Sequence, residues 1–362
     1  MKKIVGLFFI IFSAGSAFSQ DSIWYQAFTG RIDRYPITLH LQKSAESHSG
    51  FYYYHNSKLP IELVELIGYE NLRLSGYSLL TIDSEVEPEI FSLQLKGDSL
   101  NGTWQLNESS RKLEVKLTRM EATPFVFQNW TTSGVFKLKP ELEESAGAAY
   151  DGNILWPVGK QSYIPALQKA INKLVNEVAE IRSPLQYLET QRDLYLEDYR
   201  KELREVADSD WMEYPSSYSY SLAQNMNLVY FSDKWVSLES FWHSYSGGAH
   251  GNYGSAYLCF DFSRQRALEL KDILTPAGFT VLPTLMAQSL RKQLGLKANE
   301  PLTEGGLFED EVPVTENFYL TDTGICFSYT PYEIGPYAMG EIRIFLTFQQ
   351  LKAYLQAGWP GK

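Results

Sequence analysis

Phe91-Ser92-Leu93-Gln94-Leu95, closed by the turn residues Gly97-Asp98, alternates apolar and polar side chains with the two-residue period of a half-buried strand. The same rhythm recurs on both sides of it. Trp24 to Phe28, Ile37 to Leu41, Phe51 to Tyr54, Ile61 to Leu66, Asn71 to Leu74, Leu79 to Ile82 and Lys112 to Leu117 are short apolar or alternating runs. Gly30, Ser49-Gly50, Gly76 and Asn101-Gly102 punctuate them. Eight such strands between positions 21 and 120 predict an up-and-down barrel or a sandwich. Gly102-Thr103-Trp104 opens a further candidate strand, whose indole is expected to plug one end of the core. A small barrel is expected to be filled by its own side chains.

Beyond position 121 the rhythm changes. Phe125 to Leu138 still reads as extended. Ile164, Leu167, Ile171, Leu174, Val175, Val178 and Ile181 then recur at helical spacing, with Pro165 suited to the first turn. Ser183-Pro184 interrupts, and Leu185 to Val206 forms a second helical run. Trp211 to Ala223 reads as a loop. Met226 to Phe231 and Lys234 to Tyr245 flank Ser232-Asp233 as a hairpin, and Ala256 to Phe262 is a further strand. Val281 to Leu290 reads as a helix with Pro283 in its first turn. Asn317 to Leu320, Gly324 to Tyr329 and Gly340 to Thr347 are strands, and Thr347-Phe348-Gln349-Gln350 is a capping box opening a last helix through Leu355. Mixed elements without strict βαβ alternation make the class α+β, an N-terminal all-β barrel or sandwich followed by a mixed region. The expected divisions are 1–20, 21–122, 123–224 and 225–362.

Met1-Lys2-Lys3, the apolar run Ile4 to Phe12 and the small residues around Ala17 and Ser19 predict a secretory signal peptide, cleaved near Ser19 or Gln20. The run is too short for a bilayer of about 30 Å. An exported product, periplasmic or secreted, without a transmembrane segment is therefore expected. With 32 basic against 43 acidic residues and a net charge of −11, the chain lacks the basic face a nucleic-acid binder needs. Two cysteines, Cys259 and Cys326, sit in apolar strand-like runs. Buried free thiols are the simpler reading, and an oxidising compartment leaves a disulfide between them open.

Two strings could carry chemistry. His243-Ser-Tyr245-Ser-Gly247-Gly248-Ala-His250-Gly-Asn-Tyr253-Gly254 concentrates glycines where the backbone turns tightly. It lacks a following helix and a Gly-Lys-Ser/Thr, so a phosphate cradle is not expected. His243 and His250, with Glu239 or Asp261, would make an incomplete zinc set. His250 could instead bond its own loop, or act as a general base, alone or with Ser246. The second string, Tyr329-Thr-Pro-Tyr332-Glu333-Ile-Gly-Pro-Tyr337-Ala-Met-Gly340, cannot be helical and offers tyrosines as a rigid amphipathic surface. Glu85, Glu87 and Glu89, and Glu309, Asp310 and Glu311, read as acidic surface loops. Neither a metal nor a cofactor is expected.

Ser246-Gly-Gly-Ala-His-Gly251, Phe260-Asp-Phe262, Leu268-Glu-Leu-Lys-Asp-Ile273, Asn317-Phe-Tyr-Leu-Thr321, Gly324-Ile-Cys-Phe327 and Pro331 to Ala338 occur in an order that resembles a known family. It is the C-terminal domain of unknown function shared by RsiV-type anti-sigma factors and PdaC-type peptidoglycan deacetylases. Tyr150 to Val158, with the helix through Val178, resembles the domain that precedes it there. The resemblance spans roughly 130–357, leaving the first hundred residues outside. It implies a cell-envelope protein. In the RsiV type this region binds lysozyme; in the PdaC type the chemistry belongs to a separate domain whose motifs this chain lacks. The expected function is therefore a binding protein, not an enzyme, that recognises a lysozyme-like protein or a cell-wall glycan. His243, Tyr245, Gly247, Gly248, His250, Tyr253, Tyr332, Glu333 and Tyr337 would form its surface. The alternative is an envelope hydrolase of a glycan or ester with His250 as base.

Overall fold

The computed structural model describes residues 19–21, 23–44, 47–69, 71–78, 88–121, 124–176 and 180–359. The predicted signal peptide up to position 18, the strand at 79–82, Glu85, Glu87 and Val178 lie outside them. After a short strand β1 (Ser19–Asp21), eight antiparallel strands follow one another: β2 (Trp24–Ile32), β3 (Tyr35–Ser44), β4 (Ser47–Tyr54) and β5 (Ile61–Glu65), then β6 (Leu72–Ser78), β7 (Glu89–Lys96), β8 (Ser99–Gln105) and β9 (Leu113–Arg119). β9 returns to pair with β2, from Phe28 opposite Arg119 to Ile32 opposite Val115, so the sheet is a closed barrel and the sandwich alternative falls away. Phe28, Ile37, Leu39, Leu41, Tyr52, Phe91 and Leu93 fill its interior at full burial. The candidate strand at Gly102-Thr-Trp104 is β8. Trp104 packs at the edge of this core and donates its indole N–H to Glu89 (3.2 Å).

The second half is built on β10 (Phe127–Lys137), β11 (Gly147–Pro157), α1 (Ile164–Val175), α2 (Pro184–Glu202), α3 (Asp208–Glu213), β12 (Tyr220–Phe231), β13 (Trp235–Tyr245), β14 (Asn252–Asp261) and β15 (Arg266–Ala267). Their sheet runs β1-β10-β11-β12-β13-β14-β15. β11 and β12 are parallel, so the chain crosses over between them through α1 to α3. β12 spans position 225 without a break, and one sheet joins both expected subdivisions there. Finally α4 (Leu270–Ile273), α5 (Pro276–Gln293), β16 (Phe318–Leu320), β17 (Gly324–Tyr329), β18 (Ile342–Thr347) and α6 (Phe348–Leu351) form a three-stranded sheet backed by α5. The Thr347–Gln350 capping box is present, with both bonds made.

Three local readings need correction. The first helix stops at Val175, and Ile181 lies beyond it, where its N–H reaches back to Asn172 Oδ1 (2.5 Å). The segment 211–223 is not one loop: Trp211 is buried in α3 with its N–H on Asp208, and β12 begins at Tyr220. Pro283 lies inside α5, because the helix starts a turn and a half earlier. Thr275 caps it by accepting from the Gly278 N–H (3.3 Å), and Pro276 takes the first position. Buried Leu282, Met286 and Leu290 hold it together across the proline.

The barrel does not stand apart. Inward residues of β3 alternate with Thr38 and His40, which point outward and are nevertheless buried. His40 stacks on Phe51 (4.5 Å between centroids), and Phe51 and Tyr53 of β4 share a core with Tyr230, Trp235 and the α5 layer. Tyr25 OH meets His40 Nδ1 (2.8 Å), His40 Nε2 lies 3.5 Å from Asp322, and the Tyr53 hydroxyl donates to Asp322. Burial alone would raise the Asp322 carboxyl; His40 and Tyr53 outweigh it and hold it below the usual range. A depressed folded pKa adds stability above the unfolded value of about 3.9, which is lost as pH falls through the folded value. Asp322→Asn should therefore lower the melting temperature at pH 7, and the gap to wild type should close below pH 4. A gap of constant size from pH 7 to pH 2.5 would show that the carboxylate's charge contributes nothing there.

Candidate functional site

Two loops remote in sequence meet at one edge of the second half. The first is the tip of the β13–β14 hairpin, where His243 pairs with Tyr253 and Ser244 with Asn252. Gly247 and Gly248 turn the chain at φ values of 85° and 90°. A Cβ on Gly247 would lie 2.4 Å from the Ser217 carbonyl oxygen, so the tip rests directly on the backbone after α3. The second loop joins β17 to β18 through residues 330–341. Gly254 lets it come close, since a Cβ there would meet Thr330 Cγ2 at 2.8 Å.

Between them they assemble an aromatic cluster. The His250 ring stacks on Tyr337 at 3.9 Å and 20°. Tyr253 meets Tyr337 edge-on at 5.9 Å, and Tyr332 lies 5.7 Å away on another side. Tyr332 is 54% exposed although it is a large apolar ring. Its φ of 73° is a left-handed conformation that an aromatic residue adopts only when the surroundings enforce it. Here the turn does so: Tyr332 N–H donates to Gly335 O and Glu333 N–H to Thr330 O, both at 3.0 Å. Burial, with Tyr337 and Glu341 nearby, raises the Tyr253 hydroxyl above its ordinary value.

Of the residues expected at the surface, His250, Tyr253, Tyr332 and Tyr337 come together. Tyr245 instead ties the hairpin tip by donating to Gly248 O (3.0 Å), and Glu333 Oε2 accepts from the Thr330 N–H (2.9 Å) in its own turn. His243 stays on β13 behind the tip, its Nε2 2.7 Å from where a Cβ on Gly251 would sit. His250 Nδ1 donates to the Gly251 carbonyl (2.8 Å), a bond within its own loop. Cys259 and Cys326 are buried free thiols rather than a bridge. Cys259 Sγ lies against Ser237 Oγ (3.4 Å) and Phe318 O (3.5 Å), Cys326 Sγ near Phe327 O, and burial raises both thiols to about 12. Among the described residues no group of three His, Cys, Asp or Glu side chains is placed to hold a metal.

The acidic run at 309–311 has more to it than surface loop. Phe308, 50% exposed, and Glu309 and Glu311 line a cleft of about 390 Å³ together with Glu333 and Ile334 of the second loop. The middle residue, Asp310, serves the fold by accepting from Thr303 N and Oγ1. Only the proximity of Glu333 distinguishes this run from any other solvated acidic stretch.

With this geometry in hand, residues 143–253 match the family model described as deacetylase PdaC, and 271–349 match that described as protein of unknown function (DUF3298). The C-terminal region pairs a PdaC-like domain with a DUF3298 domain. The two matches leave 254–270 between them, a stretch that holds most of β14 and all of β15, so the long sheet continues beyond the end of the first match. A crystal structure of a DUF3298 family member from Bacteroides fragilis is 23% identical, with a TM-score of 0.56 over 64% of this chain and 94% of that one. A DUF3298 family protein from Pseudomonas aeruginosa is 16% identical, with a TM-score of 0.42 over 65% of this chain and 96% of that one. No curated protein matches. The barrel lies outside both domain matches, and the domain pair suggests a protein associated with the cell envelope. Among the described residues no helix is long and apolar enough to cross a membrane.

The hairpin tip makes a sharp prediction. Gly247→Ala combines a positive φ with a clash, so it should cost more than the roughly 1–2 kcal/mol expected of a left-handed alanine. Gly248→Ala, with open space around its Cβ, should cost no more than that. Urea unfolding of the two variants checks the order, and equal losses would contradict the contact with Ser217.

Proposed function

We propose that this protein is an exported binding protein of the cell envelope, without catalysis of its own, that recognises its ligand through the His250–Tyr253–Tyr332–Tyr337 cluster. The observation that carries the reading is the His250–Tyr337 stack, which joins two sequence-distant loops into one aromatic surface, exposed at His250 and at the strained Tyr332 and half-buried at Tyr253 and Tyr337. Exposed, rigid aromatic rings contribute large contact area at little entropic cost.

A lysozyme-like protein and a cell-wall glycan both suit such a surface. The acidic cleft of Glu309, Glu311 and Glu333 at its border, on a chain of net charge −11, favours the protein. A cationic partner would be steered to it and held at its rim by charges that salt screens. The hydrolase alternative gains no support from the geometry. The ring of His250 is engaged by stacking and by its own loop carbonyl, and among the described residues none of its hydrogen bonds reaches a carboxylate or hydroxyl.

Calorimetric titration of the full chain with hen lysozyme tests the reading. Saturable binding that weakens as salt rises, and that falls at least tenfold in Tyr332→Ala/Tyr337→Ala, is expected. Such a loss corresponds to about 1.4 kcal/mol. Binding left intact in the double variant would remove the aromatic surface from the account, and silence with lysozyme would remove the protein partner.

A further inference from the structure

A second concave surface lies away from the aromatic loops, where the barrel overhangs the long sheet. Two adjoining cavities of about 300 and 460 Å³ share Gln42 and Ser49 of β3 and β4 and Asn227 and Leu228 of β12. These volumes fall in the range of small-ligand sites. The groove is walled by the barrel on one side and the PdaC-like sheet on the other, so it exists only because the two are docked.

Its floor contradicts strand propensity. Asparagine is depleted in strands, yet Asn129 of β10, Asn153 of β11 and Asn225 and Asn227 of β12 line one cavity. Asn153 lies directly opposite Thr131 and Asn225 in the ladder, which places them on one face. Asn153 has a structural duty, bonding Asn129 Oδ1 (2.8 Å) and both backbone groups of Met226. Among the described residues Asn225 makes no bond of this kind. Departures from local preference that packing does not explain are expected where a site is built.

One group in the groove is left wanting a partner. Gln42 donates from Nε2 to Ser49 Oγ (2.9 Å), and its Oε1 is buried without a hydrogen bond. A buried acceptor of this kind is satisfied by an ordered water or by the donor of a ligand that takes the water's place in the groove. The charges at the far end narrow what can enter. Arg343 is spent in a forked pair with Glu62 (Nη2···Oε2 2.8 Å), while Glu239 accepts from Asn227 (2.8 Å), Ser255 (2.7 Å) and Tyr257 (2.9 Å). With carboxylates in excess among the described lining residues and the Arg343 guanidinium neutralised, a phosphate or carboxylate ligand is repelled. Amide and carboxylate acceptors beside the half-buried ring of Tyr257 suit a neutral ligand with many hydroxyl or acetamido groups and flat C–H faces.

We infer that the groove between barrel and sheet is a binding site for a short neutral oligosaccharide, with Gln42 and Asn225 as its hydrogen-bonding anchors. The site is independent of the aromatic loops. Titration of the full chain with chitotetraose and cellotetraose, followed calorimetrically, tests it. Saturable binding of at least one is expected, insensitive to salt, weakened at least tenfold in Gln42→Ala/Asn225→Ala and unchanged in Tyr332→Ala/Tyr337→Ala. Matching far-UV dichroism and melting temperatures confirm that the groove variant is folded, and Asn225→Ala alone gives a milder substitution with the same direction of effect. Silence with both sugars, or binding that survives the groove substitutions, overturns the inference. So does saturable binding of tetra-alanine in their place, which would make the groove a peptide site.

Discussion

The structure turns on the docking of the barrel's outer wall. An isolated eight-stranded barrel of this composition would leave Phe51 and Tyr53 facing water. Instead they enter the core that α5 and the three-stranded sheet close from the other side. Polar groups caught in that contact face one another across it: the Tyr53 hydroxyl donates to Asp322, His40 Nε2 lies 3.5 Å from the same carboxylate, and Arg343 makes a forked pair with Glu62. Buried ionic groups stabilise less than apolar packing would, but leaving one partner alone is costly, so such pairs fix how the two surfaces align. Alignment is what the groove requires, since Gln42 and Asn227 come from opposite sides of it.

Much of the architecture was legible from local rhythm. The alternation at Phe91–Leu95 and its counterparts predict the barrel strands because one face of each is buried and the other is not. Closure was not legible: β2 and β9 pair across 83 to 91 positions, and no local pattern encodes that distance. Gly102-Thr-Trp104 looked marginal because Asn101-Gly102 mimics a turn, whereas in the barrel the glycine sits within β8 against the backbone of β7. The first half of β12 was hidden for a related reason. Residues 220–225 are half-buried on both faces and mix Tyr, Ser, Leu, Ala, Gln and Asn, so apolar alternation emerges only from Met226 onward.

The candidate surfaces divide in the same way. The glycine-rich and tyrosine-rich strings each stood out by composition, but that His250 would stack on Tyr337 depends on how the two sheets sit together. Glu333, expected at the surface, spends a carboxylate oxygen on its own turn and still borders the acidic cleft. The oligosaccharide groove had no sequence signature. Asparagines scattered through 129–227 and a glutamine at 42 mean nothing until the fold gathers them.

The central claim is that the barrel and the PdaC–DUF3298 region form one cooperative unit. A double-mutant cycle with Glu62→Ala and Arg343→Ala, followed by urea unfolding, measures it most directly. The account predicts a coupling of about 1 kcal/mol or more, within the range found for contacting charged pairs, and a single wild-type transition. Additive losses, with the barrel unfolding in a transition of its own, would contradict it.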